Sequence, residues 1–303
     1  MTIGVGILCV DGAIVGAERE ISTQTFKTEE PQSKTFYIHR NNVSVGLVGA
    51  GSHSLIKLVH EELQKRLTHE MTKEQVRRVA AELVQEIHKD HVQTNLHLNH
   101  SLDLLLAIKT TPIGGTREFG LLKFEATVPN WVDRYATIGF GTDLATYLLK
   151  QSYTRASDTS SLRGIMLASQ VLDEVKTHTH FSGGPSDIIQ VRLGWVAGFV
   201  SEDDIRLYEH TARRFAEIAR PVMMALPDIN VTGAKLTELI GKMNVELHSF
   251  RPQAFIEAQA KLGVREYEAT SIHAQGSSSS VYGIMETSAP SSIGQIRVNK
   301  IKK

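Results

Sequence analysis

Two consecutive hairpins near the start of the sequence constrain this chain more than any other feature. Thr2 to Val10 is a β-rich apolar run, Asp11-Gly12 is among the strongest two-residue hairpin signals, and Ala13 to Ile21 returns antiparallel. With Asp11 and Gly12 as the loop, Val10 faces Ala13 and Thr2 faces Ile21. Glu18 then falls near Thr2 but nominally on the opposite face of the sheet, so a twist or bulge has to bring the two together. The second hairpin runs from Lys34 to His39, turns near Asn41-Asn42, whose residues tolerate positive φ, and returns from Val43 to Val48. The same register arithmetic sets Lys34 opposite Gly49.

These hairpins gather residues with a chemical reading. Methionine is removed ahead of small residues such as threonine, so the expected mature chain begins at Thr2 with a free α-amine. A hydroxyl beside a free amine carries its own general base. Taken alone, Thr2 is simply a second residue; its weight comes from Glu18 and Lys34 arriving on the next two β segments. A lysine opposite a glycine at a strand end reads as an ammonium that tunes a nucleophile, beside a backbone N–H that a substrate approaches closely. The bland alternative is an exposed lysine and a strand-end turn.

The segments TIGVGILCVDGAIVGAEREIS, KTFYI, VGLVGAGSHS, YATIGFGTDLATYLL and SGGPSDIIQV resemble, in order and spacing, those of a proteasome β subunit over roughly residues 2 to 195. The matching features are the N-terminal hairpin, the lysine strand, the oxyanion-glycine loop, the Gly-x-Gly helix start and the Ser-Gly-Gly-x-x-Asp strand. The resemblance implies Thr2 as nucleophile, Glu18 as the acid, Lys34 as the activating amine and Gly49 as the oxyanion donor, with Gly46 as the alternative to Gly49. Ser182 is retained. It also implies an extended substrate adding as a strand between the Ser22 and Gly51 backbones, with Leu47 at a pocket floor favouring apolar side chains. Two positions depart: Phe140 stands where the family has the serine of Gly-Ser-Gly, and Thr179 where it has an aspartate. Loss of these polar partners lowers activity or leaves proton shuttling to water, with Thr142 or the His178 and His180 pair as substitutes. With no propeptide evident ahead of Thr2, the likeness is nearer to the peptidase subunits of bacterial ATP-dependent proteases than to propeptide-bearing proteasome subunits.

Thirty-three basic residues balance thirty-three acidic ones, which argues against a generally nucleic-acid-binding surface. Cys9 is the only cysteine, so no intrachain disulfide forms, and a buried small hydrophobe is its expected role. With no membrane-length apolar run and no signal segment, a cytoplasmic location away from membranes is expected. No phosphate-binding glycine loop is present, so any ATP-driven unfolding falls to a partner unfoldase or adaptor. His88, His91, His97 and His100 bracket a polar stretch that reads as a wet helix-end loop more readily than a metal site, and no cofactor or metal is expected.

Beyond the hairpins the period becomes helical. Ser52 precedes Leu55, Val59, Leu63 and Leu67, and Thr72 with Gln75 makes a capping box ahead of Val76, Val79, Leu83 and Ile87. Strands are expected over Leu102 to Ile108, Phe119 to Phe124, Tyr135 to Ile138 and Asp187 to Val191, and helices from Thr142 and over Ser161 to Thr177. This order suits an α+β fold, a four-layer α-β-β-α sandwich of the proteasome-like N-terminal nucleophile (Ntn) hydrolase type. Residues 1–199 form that domain. Residues 200–303 form a mainly helical extension: Glu202 to Met224 bent or ended by Pro221, shorter helices over Ala234 to Met243 and Gln253 to Leu262, a flexible Gly276 to Ser280 tract and a basic end.

The expected function is that of a threonine endopeptidase acting through an acyl-enzyme on peptide or unfolded protein, enclosed within a homo-oligomeric ring or spiral. Two alternatives stand beside it: a catalytically weak or inactive structural or binding subunit, and a small-amide hydrolase using the same nucleophile.

Overall fold

The computed structural model describes residues 2–19, 21–22, 27–28, 33–94, 101–179, 183–194, 197–227 and 231–246. Among these the chain forms β1 (Ile3–Cys9), β2 (Gly12–Glu18), the short pair β3 (Ile21–Ser22) and β4 (Lys27–Thr28), β5 (Thr35–Arg40) and β6 (Val43–Gly51). Helices α1 (His53–Arg66) and α2 (Lys73–Ile87) follow, then β7 (Leu102–Thr110), β8 (Glu118–Glu125), β9 (Val128–Val132) and β10 (Tyr135–Gly139). The remainder is α3 (Thr142–Ser152), α4 (Ser161–His178), β11 (Ser186–Arg192), β12 (Gly198–Phe199), α5 (Glu202–Ala225) and a helix over residues 233–246.

Two five-stranded sheets, antiparallel throughout, organise the molecule, one ordered β10-β1-β2-β11-β12 and the other β5-β6-β7-β8-β9. Strand alternation divides their side chains among three cores. Val43, Val45 and Leu47 of β6 and Leu104 and Leu106 of β7 pack with Ile56, Val59 and Leu63 of α1 and Val76 and Leu83 of α2. Val15, Val48, Leu105, Leu121 and Ile189 fill the space between the sheets. Ile3, Val5 and Ile7 pack against Leu149 of α3 and Ala168, Leu172 and Val175 of α4. Each fully buried aliphatic side chain contributes about 1.5–3 kcal/mol by leaving water. The Thr72 and Gln75 capping box at the start of α2 forms reciprocally, with Gln75 N donating to Thr72 Oγ1 at 3.3 Å and Thr72 N to Gln75 Oε1 at 2.8 Å. Ser52 precedes α1 without a side-chain cap.

Four expectations change. Cys9 pairs with Gly12, so the first hairpin loop is Val10-Asp11 rather than Asp11-Gly12, and the register moves by two. Gly12 is instead required by neighbouring β11: a Cβ there would lie 2.2 Å from the Val191 carbonyl oxygen. Asp11 caps the chain entering α4, accepting from Ser161 N at 2.8 Å and Ser161 Oγ at 2.6 Å. The polar run after α2 is not a loop at first, because His88–Gln93 continues the helix as a π-helical turn; His97 and His100 lie outside the described residues. Pro221 does not end α5, which runs on to Ala225.

Helix α5 packs on the elements that precede residue 199. Ile205 and Tyr208 of α5 belong to the same core as Ile3 and Leu172, and Lys176 of α4 reaches Glu209 of α5 at 2.9 Å, while Arg213 pairs with Asp173. The described residues before and after 199 therefore belong to one compact unit. The expected helix over Gln253 to Leu262, the serine-rich tract and the basic end lie outside the described residues.

Candidate active site

The hairpin register decides what meets at the start of β1. Gly4 pairs with Ala17, and one step further along the same register Glu18 stands across from Ile3. Glu18 is fully buried, and its Oε1 accepts from the Ile3 backbone N–H at 3.4 Å and from Lys34 Nζ at 2.9 Å. The carboxylate so reaches around the strand end toward the second sheet, which reconciles its nominal face with the site. Lys34 is only 4% exposed, and Thr2 only 6%. The second hairpin turns at Asn41-Asn42, Asn41 adopting φ +45°, and sets Arg40 against Val43, the register that carries Lys34 opposite Gly49. Glu18 thereby meets both Lys34 and the backbone N–H of Ile3, the residue after Thr2.

Backbone contacts fix Thr2 from its other side. Phe140 N donates to the Thr2 carbonyl at 2.8 Å. Gly139 has φ +87°, and a Cβ there would lie 2.0 Å from that same carbonyl oxygen, so only glycine fits. The second glycine of the motif, Gly141, faces Val175 at 2.5 Å from its notional Cβ. These glycines thus serve close packing around Thr2 and α4. Phe140, at the position of the family serine, is 58% exposed.

Several residues assigned by resemblance have other duties here. The Gly49 N–H donates to the Lys34 carbonyl at 3.1 Å, making it a rung between β5 and β6 rather than an open oxyanion donor. Its missing side chain faces α1, since a Cβ would lie 2.5 Å from Ile56 Cγ1. Gly46 faces the other way, 2.7 Å from Ile189 Cγ2, as a spacer between the sheets. Leu47 is fully buried in the core beneath α1 and α2, so it floors no substrate pocket. Gly51 ends β6 at φ +111°, where a Cβ would strike the Ser101 carbonyl oxygen at 2.0 Å, and Ser22 pairs with Lys27. The Thr142 hydroxyl donates to Gly139 O at 2.6 Å and the Thr179 hydroxyl to Val175 O at 2.7 Å, while His178 lies on α4 beside Glu174 at 3.3 Å. Ser182 and His180 lie outside the described residues.

Three functional-site neighbours carry no role in the sequence reading. Asp187 on β11, 5% exposed, accepts from Arg19 Nε at 2.9 Å, Arg19 NH2 at 2.6 Å and Ser33 Oγ at 2.8 Å. The Ser-Gly-Gly-x-x-Asp segment signals Asp187, but Arg19 and Ser33 carry no pattern beyond adjacency to Glu18 and Lys34. An open groove beside Ser33 is lined by Phe36, His53, Lys57, Leu58 and Glu61. Burial holds the His53 imidazole below its ordinary pKa, aided by the positive charges of Lys57 and Lys34, so its electrostatic reach includes the site lysine.

No family model and no curated protein matches this sequence. Solved structures do match the fold. An Anbu mutant from Hyphomicrobium sp. strain MC1 aligns with TM-score 0.59 at 13% identity, covering 76% of this chain and 100% of that one. Anbu from Pseudomonas aeruginosa, described as a helical assembly, aligns with TM-score 0.60 at 16% identity, over 77% and 99%. Anbu from Yersinia bercovieri, described as an ancestral β-subunit, aligns with TM-score 0.60 at 12% identity, over 76% and 100%. The likeness to peptidase subunits of bacterial ATP-dependent proteases is corrected by these neighbours: the fold is shared with Anbu, and identities this low carry the fold alone.

Proposed function

We propose that the chain is an assembly-forming subunit in which Thr2, freed of Met1, is a slow nucleophile for amide bonds in peptide segments. The observation supporting this is the buried Glu18–Lys34 pair at 2.9 Å, joined through Glu18 to the backbone one residue from Thr2. Burying an ion pair costs several kcal/mol of desolvation, and a scaffold has no use for that cost at its chain start. In the proposed step the Thr2 hydroxyl attacks the amide carbonyl, its proton passes to the α-amine directly or through water, and the amine protonates the departing nitrogen. Water then hydrolyses the resulting ester. Lys34 supplies positive charge beside the hydroxyl, and Glu18 holds that ammonium in place. The rate is expected to be low, because neither Phe140 nor Thr179 provides the polar partner found at its family position.

The three cores support the four-layer α-β-β-α order as the frame of this site. A homo-oligomeric spiral or ring in the cytoplasm, with Thr2 facing an enclosed space, is the proposed setting; the helical assembly of the P. aeruginosa neighbour supports it. Among the described residues no helix is long and apolar enough to cross a membrane. A second reading, an assembly subunit without turnover, is favoured by one observation, the engagement of the Gly49 N–H by Lys34 O.

Hydrolysis of a fluorogenic peptide amide by the purified protein, run beside Thr2→Ala and beside a small-amide substrate, separates these readings. Turnover of the peptide that vanishes in Thr2→Ala supports the proposal. Turnover of the small amide alone redirects the substrate class, and no Thr2-dependent turnover of either leaves the scaffold reading.

A further inference from the structure

We infer that Asp187, acting through Ser33, is a positioning residue for the Lys34 ammonium; this rests on the proposed role of Lys34 beside Thr2. Asp187 sits on β11, next to β2, with Ser186 in register with Glu18. Ser33 belongs to the segment leading into β5 of the other sheet. The contact at 2.8 Å from Ser33 Oγ to Asp187 Oδ2 therefore ties the residue just before Lys34 to the sheet that carries Glu18. Two links between the sheets lie side by side there, Asp187 to Ser33 and Glu18 to Lys34.

The Ser33 hydroxyl lies 2.7 Å from the Thr35 carbonyl as well, and accepts from Thr35 N at 3.1 Å. It has a single proton to give. A carboxylate is the stronger acceptor, so the proton goes to Asp187 and the hydroxyl oxygen receives the Thr35 N–H, which fixes the turn around Lys34. Arg19 occupies the other oxygen of Asp187 and reaches Glu202 of α5 at 3.5 Å. With Arg19 and Asp187 cancelling, the pair adds no net charge beside the site. The contribution of Asp187 is placement: an ammonium displaced by about 1 Å costs up to a hundredfold in a reaction that depends on alignment.

Ser33→Ala in the full chain tests this, because it removes the tether without altering charge; Ser33→Thr keeps the hydroxyl. Two readouts are needed. The first is competitive acetylation of Lys34 by acetic anhydride against the other lysines as internal standards, followed by peptide mapping across pH, which reports the lysine's environment whether or not the protein turns over. The second is the pH profile of ring-adduct formation at Thr2 by a peptide epoxyketone, in which the hydroxyl adds to the ketone and the α-amine opens the epoxide. Ser33→Ala is expected to raise Lys34 acetylation several-fold and to slow adduct formation at Thr2 about 10- to 100-fold. Its acid limb moves to higher pH, since an α-amine that loses a neighbouring ammonium binds its proton more tightly. Ser33→Thr restores both, and Asp187→Asn reproduces the loss with a lower melting temperature. Unchanged Lys34 acetylation in Ser33→Ala overturns the inference. A wild-type protein that never forms the adduct at Thr2, yet shows the Lys34 change, supports the positioning role while removing the hydrolytic reading.

Discussion

The two halves of the candidate site use their polar groups differently. On one side the Glu18–Lys34 pair is buried and joins the two sheets, with Lys34 4% exposed, and beside it the partly exposed Arg19 pairs with Asp187 of the neighbouring strand. On the side of Gly49, Gly46 and Thr142, each group is occupied by local architecture: Gly49 N–H by Lys34 O, the Gly46 position by Ile189, the Thr142 hydroxyl by Gly139 O. An apolar core would be a cheaper filling for the first half than a buried ion pair. The second half reads as ordinary strand and helix-start chemistry. A shared fold with Anbu is therefore compatible with a half-equipped site: charge stored beside Thr2, and no open donor at Gly49.

The largest effect expected is at Thr2. Thr2→Ala should abolish ring-adduct formation with a peptide epoxyketone, which needs both hydroxyl and free amine, while circular dichroism and oligomeric state stay as in wild type. Retained labelling places the reactive group elsewhere and erases the contrast between the halves.

Lys34→Met comes next. It removes the ammonium and leaves the fully buried Glu18 carboxylate without that partner, so urea unfolding should show a loss of about 3–5 kcal/mol, with epoxyketone labelling falling in parallel. A variant as stable as wild type shows that the pair is not a buried charge at all. The double variant Glu18→Gln, Lys34→Met should recover part of the loss, because the uncompensated charge is gone.

Gly49→Ala probes the other half. A Cβ 2.5 Å from Ile56 Cγ1 overpacks the contact with α1, and a cost of about 1–3 kcal/mol is expected in unfolding, with the labelling rate per folded molecule little changed. A large drop in that rate with full stability returns Gly49 to the chemistry. Thr142→Val, which deletes the bond to Gly139 O, should lose about 0.5–1.5 kcal/mol and leave the pH profile of labelling where it was.

The smallest effect expected is in pH. His53 has its pKa held below the ordinary 6.5, chiefly by burial, so the unfolded chain binds its proton first. Its share of stability is complete above 6.5 and declines as pH falls from 6.5 toward the lower folded value. His53→Gln should flatten the slope of stability against pH in that window, measured by denaturation at fixed ionic strength.

Much of the fold was legible because its signals are local. The Thr72 and Gln75 capping box, the Asn41-Asn42 turn and the amphipathic spacing of α1 and α2 depend on neighbours in sequence, and the structure has them. The first hairpin misled because Gly12 serves a distant strand: its missing side chain admits the Val191 carbonyl, which no local reading reveals. Leu47 misled for a related reason, since strand alternation alone does not say which face meets helices and which meets substrate. In the site, Glu18 and Lys34 were readable from spacing. Asp187 was marked only as the end of the Ser-Gly-Gly-x-x-Asp segment, and Arg19 and Ser33 not at all, because their contacts join residues far apart in sequence. The extent of α5's involvement was hidden likewise, as its apolar stripe fits a neighbouring subunit or α4 equally well until Ile205 and Tyr208 are seen in the same core as Ile3.

The most direct measurement is intact-mass and N-terminal peptide analysis of the purified full chain before and after incubation with a peptide epoxyketone. A mass lower by one methionine, then an adduct confined to the peptide beginning at Thr2, is the expected result. A chain that keeps Met1, or one that loses Met1 and remains unmodified at Thr2 over prolonged incubation, contradicts the assignment of Thr2 as the nucleophile.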